Sequence, residues 1–332
     1  MNLMINTYCN LNCSYCFADP TMKEVATKNM SLEDFEYALS FLEKVGEKTV
    51  RLIGGEPTIS PNLELFIDKI IKRGTFKAII IFSNFCFEEK TRKMLLRKNK
   101  LIPITFLPNI NEFNLMIDKF VKNINENLDA FTKSNGVRCI GINIYDPNMK
   151  LDQWENLIKK YRNYLDSIRF SIAIPTKQIF EKKFVFQEYY SSFEKVISDL
   201  VDIAERNSIR LNCDCSDVPV CCFSPNLVYR MYRIGASSLG VTNGRIGCSY
   251  PVVDVRPDLS IATCFGYTNE KQGMFSLKDF NNYKEIIDWC ASVAKTDRIA
   301  RIECLSCPRY KTYGTSCACK STHLIKKEQE NE

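Results

Sequence analysis

Residues 9–20 read CNLNCSYCFADP, a run that holds three of the sixteen cysteines of the chain. Cys9, Cys13 and Cys16 stand there in the spacing C-x3-C-x2-C. A cubane iron–sulfur cluster is normally held by four thiolates, so a cluster held by these three would leave one iron open to an outside ligand. A zinc knuckle is the alternative for cysteines clustered in this way.

A second run, TVRLIGGEPTISP at residues 49–61, places two glycines directly after a short β-branched segment. Gly54, Gly55, Glu56 and Pro57 therefore follow a predicted strand over residues 49–53. A residue without a Cβ lets other backbone groups approach closely, which a site for a bound molecule can use. The alternative is an ordinary glycine turn before a helix.

In their order and spacing, the two motifs resemble those of the radical S-adenosylmethionine (radical SAM) enzymes. The resemblance implies that Cys9, Cys13 and Cys16 bind a 4Fe–4S cluster whose open iron binds the amino and carboxylate groups of S-adenosylmethionine. It implies that an electron from the cluster cleaves this cofactor to a 5′-deoxyadenosyl radical. It also implies that Tyr15 fills the family's aromatic position before the third cysteine, and that Glu56 accepts a hydrogen bond from the methionine amine. The other cofactor-site residues implied by the second motif are Gly54, Gly55 and Pro57.

Strand-like and helical segments alternate over residues 1–208, the predicted barrel domain. The predicted strands cover residues 3–8, 49–53, 76–82, 101–107, 137–145 and 168–174. The predicted helices between them cover residues 32–45, 63–73, 88–99, 112–133 and 151–164. This alternation predicts an α/β fold with a parallel sheet. In the resembled family the sheet forms a partial (β/α)6 TIM-like barrel, and ligands bind at the C-terminal ends of its strands.

Polar residues at three further strands extend the predicted cofactor site. Ser83 and Asn84 follow the third strand within the run SNFCF, where the resembled family often has Thr-Asn-Gly, so Phe85 departs from that pattern. Related enzymes often use a serine on the fourth strand to contact the ribose of the cofactor. This chain lacks that serine, and Asn143, near the end of the fifth strand, is the expected substitute. Arg169 in the sixth strand binds a carboxylate in one interpretation and forms an ordinary buried ion pair in the other.

Cysteines become frequent after residue 208. Residues 209–321 resemble the C-terminal auxiliary-cluster extensions called SPASM and twitch domains, in which a β-hairpin carries a cysteine at each foot and a later C-x2-C supplies further ligands. The resemblance implies a small cysteine-rich α+β domain with one or two 4Fe–4S clusters, and a zinc ribbon is the alternative. The implied ligands are Cys215, Cys221, Cys248, Cys264, Cys304, Cys307, Cys317 and Cys319. Cys213 and Cys222 lie beside implied ligands and either replace one of them or bind no cluster. Leu259 stands where the resembled hairpin has a turn glycine. Residues 322–332 form a polar tail.

The composition of the chain limits the kinds of catalysis and partners to expect and indicates the cellular compartment. The sequence has no run of about 18 apolar residues and no secretory signal, which predicts a cytoplasmic protein with reduced cysteines and no membrane span. The one histidine, His323, excludes imidazole-based catalysis in the core. The formal net charge of +6 favours an acidic electron donor of the flavodoxin or ferredoxin type. Because no basic stripe with interleaved aromatics is present, no nucleic-acid partner is expected.

The resemblance also implies a reaction class. Enzymes with SPASM or twitch extensions mostly crosslink ribosomally made peptides or oxidise their side chains, so we expect oxidative crosslinking or desaturation of a peptide. Eight residues precede Cys9, too few for the leader-binding module of many such enzymes, so a leader would dock on the barrel or on a separate leader-binding protein. The first alternative is dehydrogenation of a sugar or other small molecule. The second is a non-catalytic iron–sulfur or zinc protein on a degenerate barrel.

Overall fold

The computed structural model describes residues 1–16, 18, 22, 26–174, 185–213, 219–235, 253–262, 275–296, 298–299, 302–308 and 324–325. The chain divides into two compact units. The first contains residues 1–141, 163–165 and 252–286, and the second contains residues 142–162, 166–251 and 287–332. This division does not coincide with the boundary predicted at residue 208, which stays a prediction.

The strands and helices within the described ranges follow the predicted alternation closely. The strands are β1 Asn2–Met4, β2 Thr49–Ile53, β3 Ala78–Ser83, β4 Ile104–Pro108, β5 Cys139–Ile144, β6 Ser167–Ile172, β7 Arg210–Cys213, β8 Asp254–Val255, β9 Ile261–Ala262, β10 Arg298–Ile299 and β11 Leu324–Ile325. The helices are α1 Leu32–Lys44, α2 Leu63–Arg73, α3 Glu89–Asn99, α4 Asp118–Lys133, α5 Asp152–Tyr161, α6 Phe186–Ser192, α7 Glu194–Arg206, α8 Pro225–Arg233, α9 Tyr283–Thr296 and α10 Ile302–Leu305.

A parallel sheet organises the first unit. Strands β1 to β4 pair in the order β4-β3-β2-β1, with Leu3 opposite Leu52 and Ile81 opposite Phe106. Two isolated parallel bridges, Phe106 to Val137 and Asn109 to Gly141, continue this pairing from β4 towards the start of β5. The predicted α/β class with a parallel sheet is confirmed.

Local capping explains where several helices begin and end. The Ser31 side chain accepts the backbone N–H of Asp34 at the start of α1, and Gly74 adopts a left-handed φ of 66° at the end of α2. The predicted start of α4 at residue 112 needs a correction. A short 3-10 turn, Phe113–Leu115, precedes the helix, because its buried face begins only further along the chain. Just after its C-terminal end, Asn135 takes the left-handed conformation, with a φ of 58°.

A hairpin from the cysteine-rich part of the sequence completes the sheet of the first unit. Strand β8 pairs parallel with β1 and antiparallel with β9, so the sheet order is β4-β3-β2-β1-β8-β9. Leu259 in the hairpin turn has a φ of 65° although it is not glycine, and its side chain is 1% exposed. Burial of the leucine side chain therefore offsets the cost of the left-handed backbone.

The second unit has its own sheet and core. Strands β5, β6 and β7 form a three-stranded sheet in which β6 and β7 are parallel, and β7 is a strand that the sequence did not predict. Trp154, Tyr190 and Phe193 are fully buried there. Strands β10 and β11 pair antiparallel. No helix in the described ranges has the length and apolar character needed to cross a membrane.

Asp254 makes the stability of the first unit depend on pH. Its carboxylate is 3% exposed and accepts a 2.7 Å hydrogen bond from Asn2 Nδ2. Burial raises its pKa from 3.8 to about 7, an effect that this hydrogen bond, the amino terminus and Arg256 only partly offset. The folded protein therefore holds a proton that the unfolded chain releases between pH 4 and 7, so stability falls as the pH rises through that window.

We expect Asp254→Asn to remove this pH dependence, because asparagine keeps an acceptor for Asn2 but carries no charge. The gain in the free energy of unfolding at pH 7.5 should be a few kcal/mol, at most about 4 kcal/mol. Urea unfolding at pH 4.5 and 7.5 measures it, with the exposed Asp199→Asn as the matched control. Equal pH dependence in the variant and the parent protein would contradict the prediction.

Candidate active site

The loop after β1 carries the three N-terminal cysteines. A turn joins the last two, because the backbone N–H of Cys16 donates to the carbonyl of Cys13 at 3.1 Å. The Cys9 sulfur accepts the backbone N–H of Leu11 at 3.4 Å. Cys16 packs against a small apolar cluster that includes Met4. The loop thus holds its thiols within one short, internally bonded segment.

The electrostatics of the loop favour a strongly cationic ligand. Although Cys9 is solvent-accessible, the protein atoms around its sulfur raise the pKa of its thiol to about 12, and negative charge on Glu56, Cys13 and Cys16 adds to the rise. Three thiolates are therefore stable together only beside a strong cation, such as the iron of a cluster. Among the described residues, no three His, Cys, Asp or Glu side chains are close enough to share one metal ion. A cubane does not require this, because each of its cysteine ligands binds a different iron. The loop fits a cluster.

The two glycines of GGEP let β2 approach the segment that leads into the cysteine loop. A Cβ on Gly54 would lie 2.2 Å from Asn6 Oδ1, and one on Gly55 would lie 2.2 Å from the carbonyl oxygen of Tyr8. The backbone N–H of Gly55 donates to the Asn6 carbonyl at 3.0 Å, and that of Glu56 donates to the Tyr8 carbonyl at 2.9 Å. The glycines thus have a role within the chain itself, which sequence reasoning missed.

Glu56 connects the end of β2 with the end of β3. Its carboxylate is 1% exposed and accepts hydrogen bonds from four donors. Oε1 accepts the Thr58 N–H at 3.0 Å, the Thr58 hydroxyl at 2.5 Å and the Ser83 hydroxyl at 2.9 Å, and Oε2 accepts the Asn84 N–H at 2.7 Å. Burial raises the pKa of Glu56, and these hydrogen bonds oppose that shift. The structure thus brings Ser83 and Asn84 together with the GGEP run.

Phe85 is the residue of the run SNFCF that departs from the Thr-Asn-Gly pattern of the family. It has a φ of 64°, the left-handed conformation that glycine adopts most readily. Its ring is fully buried and packs edge-on against Phe87 and Phe106. From α4, the Asn127 amide donates to the carbonyls of Phe85 and Phe87 at 2.8 Å. Packing and hydrogen bonds therefore hold a backbone conformation that the side chain disfavours.

Two asparagine amides face thiols of the loop. Asn111, beyond the end of β4, donates from Nδ2 to the Cys13 sulfur at 3.3 Å, and its Oδ1 accepts the Tyr15 hydroxyl. Asn84 Nδ2 lies 3.7 Å from the Cys9 sulfur. Sequence reasoning missed Asn111, although a polar residue just past a strand end was the available signal.

Asn143 and Arg169 belong to the second unit. Asn143 Oδ1 accepts the Ser171 hydroxyl at 2.8 Å, and Arg169 is opposite Asn212 in the pairing of β6 with β7. All four side chains are partly exposed. Their assignment to the cofactor stays a prediction.

Three of the eight predicted auxiliary ligands lie in described segments. Cys304 and Cys307 share a turn in which the Cys307 N–H donates to the Cys304 carbonyl at 3.0 Å, the same turn that joins Cys13 and Cys16. Cys221 is exposed, whereas Cys213 and Cys222 are buried. The predicted ligands outside the described residues are Cys215, Cys248, Cys264, Cys317 and Cys319.

Comparison with known proteins decides the family. The family model described as "Radical SAM superfamily" matches residues 3–179. The chain belongs to the radical SAM superfamily. Membership of this family implies an enzyme whose cofactors are a 4Fe–4S cluster and S-adenosylmethionine.

Two relatives of known name are each similar to a part of this radical SAM chain. The GTP 3′,8-cyclase of Clostridium botulinum (strain Okra / Type B1) is 26% identical over 215 residues, which cover 61% of this chain and 64% of that protein. The chain thus spans slightly less than two thirds of that relative. The antilisterial bacteriocin subtilosin biosynthesis protein AlbA of Bacillus subtilis (strain 168) is 29% identical over 105 residues, 31% of this chain and 22% of that protein.

Solved structures show the same fold over most of the chain. SuiB of Streptococcus suis bound to precursor peptide SuiA matches with a TM-score of 0.56 and 15% identity, covering 92% of this chain and 68% of that one. Native anSMEcpe with bound AdoMet matches with a TM-score of 0.61 and 17% identity, covering 95% of this chain and 88% of that one. The radical SAM partial barrel predicted from the sequence is thereby confirmed as a fold.

Proposed function

We propose that this radical SAM enzyme oxidatively crosslinks or desaturates a ribosomally made peptide. The observation that carries the proposal is the likeness in fold, over 92% of the chain, to SuiB bound to its precursor peptide. Sequence identity with a bacteriocin biosynthesis protein supports the same substrate class. The cysteine-rich region beyond the barrel strands is an additional support, because an oxidation needs an electron acceptor.

In this proposal Cys9, Cys13 and Cys16 hold the cluster that binds S-adenosylmethionine. When bound, the cluster and this cofactor supply the radical that abstracts a hydrogen atom from the substrate. The cofactor site contains Tyr15, Gly54, Gly55, Glu56, Pro57, Ser83 and Asn84, with Asn143 and Arg169 as further candidates.

Glu56 is the residue that we assign to the cofactor's ammonium group. It is a buried carboxylate, and every described donor to it is neutral: the Thr58 amide and hydroxyl, the Ser83 hydroxyl and the Asn84 amide. A buried charge is costly unless an opposite charge or hydrogen bonds compensate it. The ammonium of S-adenosylmethionine would supply that opposite charge.

The auxiliary site is assigned to the cysteines of residues 209–321. Removing two hydrogens from a peptide releases one hydrogen atom to the cofactor radical, then one proton and one electron. A cluster held by Cys304, Cys307, Cys221 and the other predicted ligands would supply the acceptor for that electron. The shared turn of Cys304 with Cys307 and the exposure of Cys221 are compatible with this role. We further infer that a reduced flavodoxin- or ferredoxin-type protein delivers the initiating electron, since the net charge of +6 favours an acidic donor.

Mass spectrometry tests the peptide substrate. The enzyme is co-expressed with a short precursor peptide encoded beside its gene, and we expect a loss of about 2 Da for each modification, from the two hydrogens removed. The matched variant Cys304→Ala with Cys307→Ala should still form 5′-deoxyadenosine but should leave the peptide mass unchanged. An unmodified peptide with the parent enzyme, alongside turnover of a metabolite, would contradict the proposal.

The second candidate is oxidation of a small molecule. The small-molecule substrate, though not the oxidation itself, is favoured by the identity with GTP 3′,8-cyclases, which extends over 61% of this chain, more than the match to the bacteriocin protein. Incubation of the reconstituted enzyme with S-adenosylmethionine, a reductant and GTP or a sugar alcohol tests it. A new nucleotide or sugar product, with no change in any peptide, would support this candidate in place of the first.

A further inference from the structure

Two asparagine side chains have orientations fixed by the groups around them. Asn111 Oδ1 accepts the Tyr15 hydroxyl, and Asn84 Oδ1 accepts the backbone N–H of Cys86 at 2.9 Å. Because a hydrogen-bond donor faces the Oδ1 atom of each amide, the NH2 group of each amide points towards a cysteine sulfur. Asn111 Nδ2 lies 3.3 Å from the Cys13 sulfur. Asn84 Nδ2 lies 3.7 Å from the Cys9 sulfur and 2.7 Å from Asn10 Oδ1.

Tyr15 is well suited to hold Asn111. Its hydroxyl donates a hydrogen bond to the Asn111 oxygen. A flip of the Asn111 amide would turn its oxygen towards the sulfur, and a thiolate at Cys13 would then lose its hydrogen-bond donor.

We propose that Asn111, oriented by Tyr15, is a positioning residue that donates an N–H···S hydrogen bond to the Cys13 thiolate and so raises the reduction potential of the cluster. The inference rests on the proposed assignment of Cys9, Cys13 and Cys16 as cluster ligands. Asn84 makes a longer and weaker contact of the same kind with Cys9.

The direction of the effect follows from charge. Reduction adds an electron to the iron and its sulfur ligands, so a hydrogen-bond donor on a ligand sulfur stabilises the reduced form more than the oxidised form. Loss of the donor therefore makes the cluster harder to reduce. Loss of the Tyr15 hydroxyl should have the same sign, because it removes the group that orients Asn111.

A redox titration of the cluster, followed by electron paramagnetic resonance (EPR), tests the inference. The cluster of interest is identified by the signal that changes when S-adenosylmethionine is added. For Asn111→Ala we expect the ratio of reduced to oxidised cluster at a fixed potential to fall about tenfold, which is about 59 mV for one electron. Tyr15→Phe should shift the potential in the same direction. Asn125→Ala is the matched control, because that amide donates to the Val121 carbonyl of its own helix.

Asn111→Asp is a second variant, which keeps the inference testable if Asn111→Ala fails to hold the cluster. It keeps the shape of the side chain but replaces the NH2 donor with an oxygen, so its potential should be lower still. Unchanged potentials in the Asn111 variants, with a normal cluster in the parent protein, would overturn the role of Asn111 alone. A parent protein whose signal does not respond to S-adenosylmethionine would overturn the ligand assignment, and this inference with it.

Discussion

We expect the triple variant Cys9→Ala, Cys13→Ala, Cys16→Ala to form no 5′-deoxyadenosine from S-adenosylmethionine under a strong reductant. The three thiols belong to one short loop, and in the proposed site they are the ligands of the cluster. Without them no ligand remains in this loop for the cluster, so the loss should be complete rather than partial. High-performance liquid chromatography of the anaerobic reaction measures the product.

Iron analysis adds a second readout to the same variant. The parent protein should bind about eight to twelve iron atoms if each cluster holds four, and the variant should lose about four of them. Cys139→Ala is the control, because Cys139 is a buried residue of β5. Product formation by the triple variant at the parent rate would contradict the assignment, and zinc in place of the remaining iron would favour the ribbon interpretation of residues 209–321.

Glu56→Gln should weaken binding of S-adenosylmethionine by about 1.5–3 kcal/mol, roughly 10- to 100-fold in the dissociation constant. The carboxylate is buried and its described donors are all neutral, so in the proposed site the ammonium of the cofactor would be the cation that compensates its charge. The cost to folding should be smaller. Glutamine loses one acceptor, and removal of a buried charge offsets part of that loss. Isothermal titration and thermal unfolding measure the two quantities separately.

Thr58→Val is the matched control for Glu56. It removes one neutral donor to Oε1 and leaves the carboxylate charged. We expect its dissociation constant for the cofactor to stay within about twofold of the parent value, which is about 0.4 kcal/mol. Equal affinity of Glu56→Gln and the parent protein would mean that Glu56 only joins β2 to β3.

Local sequence signals predicted the parts of the fold that depend on local chemistry. Ser31 and Gly74 lie at helix ends that the sequence predicted to within one residue, because a side-chain cap and a left-handed glycine each act within a few residues. The pairing of β8 with β1 joins residues about 250 positions apart, and no local pattern specifies it. The sequence therefore predicted a hairpin within residues 209–321 but not its pairing with β1.

The candidate site likewise has features that local sequence predicts and features that depend on distant residues. The spacing of the cysteines and the GGEP run predicted where the site lies. Phe85 looked like a loss of the glycine-type turn, yet its backbone keeps the left-handed conformation through buried ring packing. Leu259 does the same in the hairpin. Residue type alone could not predict either case, because the compensating contacts come from distant parts of the chain.

The reduced parent protein, examined by EPR with and without S-adenosylmethionine, gives the most direct test that the cysteine loop holds a cluster with an iron open to the cofactor. We predict a 4Fe–4S signal that changes on addition of S-adenosylmethionine but not on addition of 5′-deoxyadenosine, which lacks the amino and carboxylate groups. A signal identical in all three samples would contradict the account.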